Sequence, residues 1–98
     1  MILTRTDAGT LLDYVNETDQ PRDVTYASLT APIVASISIF IDDVLVERVY
    51  VGPGCSHSWW TPASGKLIPP EAAPSGIKPG SRMRITCDGE CALRIDWT

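Results

Sequence analysis

Apolar and polar residues alternate with a period of two along much of the chain, and the densest run spans residues 33–51. There Ile-Val-Ala-Ser-Ile-Ser-Ile-Phe-Ile leads through Asp42-Asp43 into Val-Leu-Val-Glu-Arg-Val-Tyr-Val. β-Branched residues dominate both arms and no glycine or proline interrupts them, so the pattern predicts two strands joined by a tight turn. A two-residue turn sets Ile41 opposite Val44, Ile39 opposite Val46 and Ile37 opposite Arg48. The apolar members of that set then share one face. Such a face needs a second sheet to cover it, which predicts a sandwich.

The same period places further strands at residues 10–15, 23–30 and 55–61, with a polar loop carrying Pro21 over 16–22. Gly52-Pro53-Gly54-Cys55 and Lys78-Pro79-Gly80-Ser81 both fit type II turns, with proline second and glycine third. Residues 81–98 read as a final hairpin turning at Asp88-Gly89-Glu90. A three-residue loop sets Cys87 against Cys91, Ile85 against Leu93 and Met83 against Ile95, with all six on one buried face. Arg82, Arg84, Arg94 and Asp96 then fall on the outer face, Arg82 opposite Asp96. The expectation is all-β: a single antiparallel β-sandwich of seven to eight strands over residues 1–98, jelly-roll or immunoglobulin-like. Two segments stand outside it, a short N-terminal arm (1–6) and a long Pro/Gly-rich loop (62–80), within which Lys66-Leu67-Ile68 could form a short edge strand.

Composition narrows the class. The chain has 98 residues, 44 % hydrophobic and 20 % charged, as expected of one small globular domain. A net charge of −4 disfavours non-specific nucleic-acid binding. No apolar run approaches the roughly 20 residues a membrane helix needs. The start, Met1-Ile2-Leu3 passing at once to Thr4-Arg5-Thr6-Asp7, lacks a secretory pattern and points to folding in a cytoplasm. The three cysteines are an odd count, so reduced thiols, at least partly buried, are the first expectation.

Chemistry-bearing candidates are few. Cys55, His57, Cys87 and Cys91 would make a Cys3His set that zinc accepts tetrahedrally. Cys87 and Cys91 are separated by three residues rather than the usual two, and nothing in the sequence brings residue 55 to residue 87, so no metal or other cofactor is expected. A cross-strand Cys87–Cys91 disulfide is the alternative, opposed by a reducing compartment. Ser56 and Ser58 lie on the opposite strand face from His57, and no Gly-x-Ser-x-Gly elbow is present, so an enzyme is not expected. Trp59-Trp60 is the stretch most like a binding site, because neighbours on a strand face opposite ways and Trp60 points outward if Cys55 points inward. An outward Trp60 serves a protein interface, stacks on a sugar, or lies beneath the 62–80 loop. Arg82, Arg84 and Arg94 form either a solvated face or a patch for an acidic partner.

Taken together, residues 10–18 (Thr-Leu-Leu-Asp-Tyr-Val-Asn-Glu-Thr), the hairpin at 38–46, the Pro/Gly turn and aromatic strand at 52–60 and the glycine turn at 78–85 resemble small accessory proteins of tailed-bacteriophage particles. The resemblance is one of pattern and is carried by no single diagnostic residue. It implies a non-enzymatic structural subunit of the virion, a capsid decoration, neck or tail accessory protein, assembled in the host cytoplasm. Its partners would be other virion proteins and copies of itself, without direct contact to nucleic acid or membrane. Candidate interface residues are Ile2, Leu3, Trp60, Leu67, Ile68 and Ile77, apolar groups outside the obvious strand faces, with Arg82, Arg84 and Arg94. The alternative is a carbohydrate-binding module using Trp60 or Trp59. Only Asn16 and Gln20 supply side-chain amides, which disfavours the sugar reading.

Overall fold

The computed structural model describes residues 2–52, 56–60 and 76–97, with the side chains of Thr25, residues 56–60 and Trp97 left out of account. Among the described residues the fold is all-β, with eight strands: β1 (Ile2–Arg5), β2 (Gly9–Val15), β3 (Val24–Thr30), β4 (Ala35–Ile41), β5 (Val44–Val51), β6 (Ser56–Trp60), β7 (Arg82–Cys87) and β8 (Cys91–Trp97). They form two antiparallel four-stranded sheets, sheet I in the order β1-β8-β3-β6 and sheet II in the order β2-β7-β4-β5. Pairs β4·β5, β3·β6, β2·β7 and β1·β8 are nested about one turn, Asp42-Asp43, as if a single long hairpin had been rolled into a sandwich. That order is a jelly roll.

Asp42 and Asp43 both have positive φ, 50° and 67°, the geometry of a type I′ turn, whose twist suits a two-residue hairpin. Aspartate tolerates this region better than most residues. The register beyond the turn differs from the unbroken alternation. Ile41 faces Val44 and Phe40 faces Leu45, but Ile39 faces Glu47 and Ile37 faces Val49, because a bulge interrupts β5 at Val46. The sequence requires this slip. Without it Arg48 and Tyr50 would point into the core; with it Val46, Val49 and Val51 pack against the core and Arg48 and Tyr50 stay outside.

The expected terminal hairpin is corrected in its pairing and kept in its burial. Met83, Ile85, Cys87, Cys91, Leu93 and Ile95 are all buried. However, β7 lies in sheet II beside β2 and β4, and β8 lies in sheet I beside β1 and β3. Residues 88–90 turn the corner between sheets, so the six side chains line the two inner walls of the sandwich and are not cross-strand neighbours. Alternation reports the face of a strand and not its partner, which is why both arrangements satisfy the same pattern.

Two segments read as peripheral belong to the fold. Residues expected as an arm form edge strand β1, pairing Leu3 with Leu93. Ile77 is 1 % exposed and bridges Arg22 in both directions, its N–H donating to the Arg22 carbonyl at 2.6 Å and its carbonyl accepting from the Arg22 N–H at 3.0 Å. The Lys78-Pro79-Gly80-Ser81 turn has the expected form: the Ser81 N–H donates to the Lys78 carbonyl at 3.0 Å, and Gly80 has φ +85°. The other glycine turn, at 52–55, and the short strand at 66–68 fall on residues outside the described set.

Candidate functional site: the outer faces of the two sheets

The outer face of sheet I carries a shallow groove of about 310 Å³ lined by Ile2, Tyr26, Ser28, Thr30, Ala92 and Arg94. Its floor follows from register: Ser28 pairs with Arg94 and Thr30 with Ala92 across β3 and β8, and Ile2 flanks Arg94 from β1. The Arg94 guanidinium lies 5.5 Å from the Tyr26 ring centroid and 3.4 Å from the Asp96 carboxylate. Ile2 is 70 % exposed at the groove's rim. Across β3, Trp60 pairs with Tyr26 and Ser58 with Ser28, so the backbone of the aromatic strand continues the same sheet.

The outer face of sheet II is built differently. Arg82 forms a bidentate pair with Asp13, its Nε donating to one carboxylate oxygen at 2.6 Å and a terminal nitrogen to the other. The hydrogen bonds from Arg82 hold the Asp13 carboxyl below the usual carboxylate range. Arg84 lies 4.9 Å from the Phe40 ring centroid and 3.9 Å from the Asp43 carboxylate. Phe40 faces Leu45 on β5, and Ser38 faces Arg48, whose Nε donates to the Ser38 hydroxyl at 3.1 Å. At this margin Val44 and Tyr50 are each 64 % exposed and Leu45 48 %. Ile33 and Val34, in the connection from β3 to β4, are exposed as well.

The arginine patch is therefore divided. Arg82 and Arg84 stand on sheet II and Arg94 on sheet I, because β7 and β8 belong to opposite walls. Of the other interface candidates, Ile2 is at the surface, Leu3 packs partly against the core and Ile77 is inside it. The loop's Pro/Gly-rich composition concealed Ile77, an apolar residue that anchors its described end in the core. Leu67, Ile68 and the side chains of Trp59 and Trp60 lie outside the described residues.

A second depression, about 490 Å³, opens at the end of the sandwich where the β1–β2 and β7–β8 connections meet, and Arg5, Asp7, Glu90 and Cys91 contribute to its wall. Arg5 is committed there to its own chain, bonding the Asp7 carboxylate at 3.1 Å and the carbonyls of Asp7, Thr10 and Ala8. Cys87 and Cys91 are buried free thiols. The Cys87 thiol donates to the Asp7 carbonyl at 3.6 Å. Burial, with Cys87 beside it, pushes the Cys91 thiol up to about 12. Cys55 and the His57 side chain lie outside the described residues, and among the described residues no three His, Cys, Asp or Glu side chains form a metal-binding group.

Sequence reading missed Asn16, which looked like an ordinary loop residue. It is fully buried and every polar atom of its amide is used. Its Nδ2 donates to the carbonyls of Ile77 (2.8 Å) and Gln20 (2.9 Å), and its Oδ1 accepts from the Thr18 N–H (3.0 Å) and hydroxyl (2.6 Å). The available signal was Asn16-x-Thr18 at a strand end, an Asx-turn pattern.

Comparison with protein-family models, with curated proteins and with solved structures finds no match to this chain.

Proposed function

We propose that this domain is a non-enzymatic structural subunit of a tailed-phage particle, a capsid decoration, neck or tail accessory protein, acting through protein–protein contacts with other virion proteins and with itself. The observation that carries the reading is where the large apolar side chains sit. The core is closed between the two sheets, yet Ile2, Ile33, Val34, Val44, Leu45 and Tyr50 remain exposed on strand margins and one connection. Apolar surface grouped at margins is a mark of protein contact, whereas singly scattered residues need no explanation. The jelly roll adds fold-level support only, since viral capsid proteins and lectins both use it.

The groove on sheet I favours a second reading, carbohydrate recognition. Tyr26 offers a ring, Arg94 a donor, and Ser28 and Thr30 hydroxyls, while β6 sets Trp60 in register beside Tyr26. Electron microscopy of particles from the native source, with labelling of this chain, separates the two. Incorporation at a symmetric position in a particle is the expected result. A chain that joins no particle and binds glycans through a surface lost in Tyr26→Ala overturns it in favour of the sugar reading.

A further inference from the structure

We propose that the outer face of sheet I is a self-association surface, stacking on the same face of a second copy of this chain about a two-fold axis that crosses β8 at Ile95. The inference deepens the assembly reading and rests on it for its biological meaning, but not for its geometry.

Register lays this face out in rows. One row carries Arg94 on β8 and Ser28 on β3, and the next, two residues along, carries Asp96 on β8 and Tyr26 on β3. All four are turned away from the core, because Ile95, between the two on β8, and Ala27, between the two on β3, are fully buried. The first row therefore sets a base beside a small hydroxyl residue, and the second an acid beside a large ring. The groove of about 310 Å³ follows from that difference in bulk: Ser28, Thr30 and Ala92 line it as small residues, bordered by Tyr26, Arg94 and Ile2.

A two-fold axis lying between two such faces, perpendicular to β8 and above Ile95, reverses the strand direction and exchanges the rows. β8 then lies antiparallel over β8 of the second copy, and β3 over its β3. Arg94 faces Asp96 of the partner subunit, Asp96 faces Arg94 of the partner subunit, and each Tyr26 ring enters the groove above Ser28 of the partner subunit. One operation matches both charge and bulk, and matches each twice, as a closed two-fold contact requires of a single surface. The axis falls within one residue of the midpoint of β8 (Cys91–Trp97), so nearly the whole strand overlaps its counterpart. Stacked sheets keep their strands within about 30° of one another, which this overlap accommodates.

The charges are placed to take part. The Arg94 and Asp96 side chains are 58 % and 40 % exposed, and they meet each other at 3.4 Å. Stacking turns this exposed pair into a quartet of alternating charges partly withdrawn from water, where ion pairs count for more than at a free surface. A sugar in the same groove would use the Tyr26 ring and the hydroxyls, but it sets no requirement on the order of base and acid along β8.

Sedimentation velocity over a wide concentration range compares the full chain with Arg94→Asp and Asp96→Arg, each alone and the two mixed, with thermal unfolding to confirm each fold. A reversible dimer is expected for the unaltered chain. Either exchange sets like charges against one another twice and should weaken it about tenfold or more. An equal mixture of the two variants brings opposite charges together again and should restore the dimer. The unaltered chain carries −4, and both variants stay net negative, so bulk attraction does not produce that result. Ser28→Tyr fills the groove without altering a charge and should give monomer, and it decides the matter should an exchange fail to fold. An unaltered chain that is monomeric throughout the range overturns the inference, as does a dimer indifferent to these changes or a mixture that stays monomeric. An indifferent dimer leaves the assembly reading standing through another face. A sheet I dimer that never enters a particle does the reverse.

Discussion

The Asp88 carboxylate accepts hydrogen bonds from the Ser36 main-chain N–H at 2.6 Å and from the Ser36 hydroxyl at 2.9 Å, while the Asp88 N–H donates to the Ser36 carbonyl at 3.2 Å. These bonds fasten the β7–β8 corner to the start of β4. The main-chain bond from Ser36 is the largest influence holding the Asp88 carboxyl below its ordinary range, against a smaller opposing effect of burial. A carboxyl depressed in the folded state contributes stability that is present above the unfolded value, about 3.9, and is lost as pH falls through the folded value. Asp88→Asn should therefore flatten the acid limb of stability below about pH 4. Urea unfolding at stepped pH checks this. Asp13, depressed by Arg82, leaves a residual slope. An acid limb identical to that of the unaltered chain would remove Asp88 from the account.

Ile85 lies between Leu12 on β2 and Ile39 on β4, fully buried. Truncation to alanine leaves a cavity in the middle of sheet II's inner wall, and Ile85→Ala should cost about 2–5 kcal/mol in denaturant unfolding. A loss below about 0.5 kcal/mol belongs to a surface site and would contradict the packing described here.

The two terminal strands show how far sequence reasoning reaches. The inward set from Met83 to Ile95 was legible because a period of two fixes each side chain's face. The sheet assignment was not, because an Asp-Gly-Glu connection serves a hairpin and an inter-sheet corner alike. The arginines inherited that error, and a single expected patch became two. The bulge in β5 was legible in principle, since Arg48 and Tyr50 would otherwise be driven inward. β1 escaped notice because four residues are too few to show a period. Ile77 and Asn16 were missed for a shared reason: each lies in a turn-rich stretch whose composition says loop, and their burial comes from contact with each other across 61 residues of chain.

The buried thiols should be unreactive in the native state. With Cys91 pushed up to about 12, its thiolate is a minute fraction at neutral pH, and thiolate is the reacting form. Iodoacetamide labelling followed by peptide mass mapping should show Cys87 and Cys91 unmodified until denaturant reaches the unfolding transition. Rapid native labelling of Cys91 would show that the β7–β8 corner opens far more readily than its packing implies.

Asn16→Ala removes the donor to two carbonyls, Gln20 at the surface and Ile77 in the buried interior, and the acceptor for Thr18. Orphaned buried groups cost more than the net worth of the bonds they lose, so a loss of about 2–3 kcal/mol is expected. Hydrogen exchange should report it locally, with protection falling at the Ile77 and Arg22 amides, which pair with each other's carbonyls. Undiminished protection there would mean that the loop end is held by Ile77 packing alone.

Two glycines separate backbone strain from close approach. Gly76 and Gly80 both have φ in the left-handed region, +83° and +85°. A Cβ on Gly80 would meet nothing within 4 Å, so Gly80→Ala should show conformational strain alone, about 1 kcal/mol. A Cβ on Gly76 would stand 2.3 Å from the Arg22 carbonyl oxygen, which no side-chain adjustment can relieve because the obstacle is backbone. That oxygen accepts the Ile77 N–H, so moving it aside breaks the Arg22–Ile77 bridge and loosens Ile77 from the core. Gly76→Ala should therefore cost on the order of 3 kcal/mol, strain and lost packing together. The two variants measured side by side in urea unfolding give the comparison. Equal losses would show that Arg22 yields at no cost, and the bridge could then not be what holds Ile77 in place.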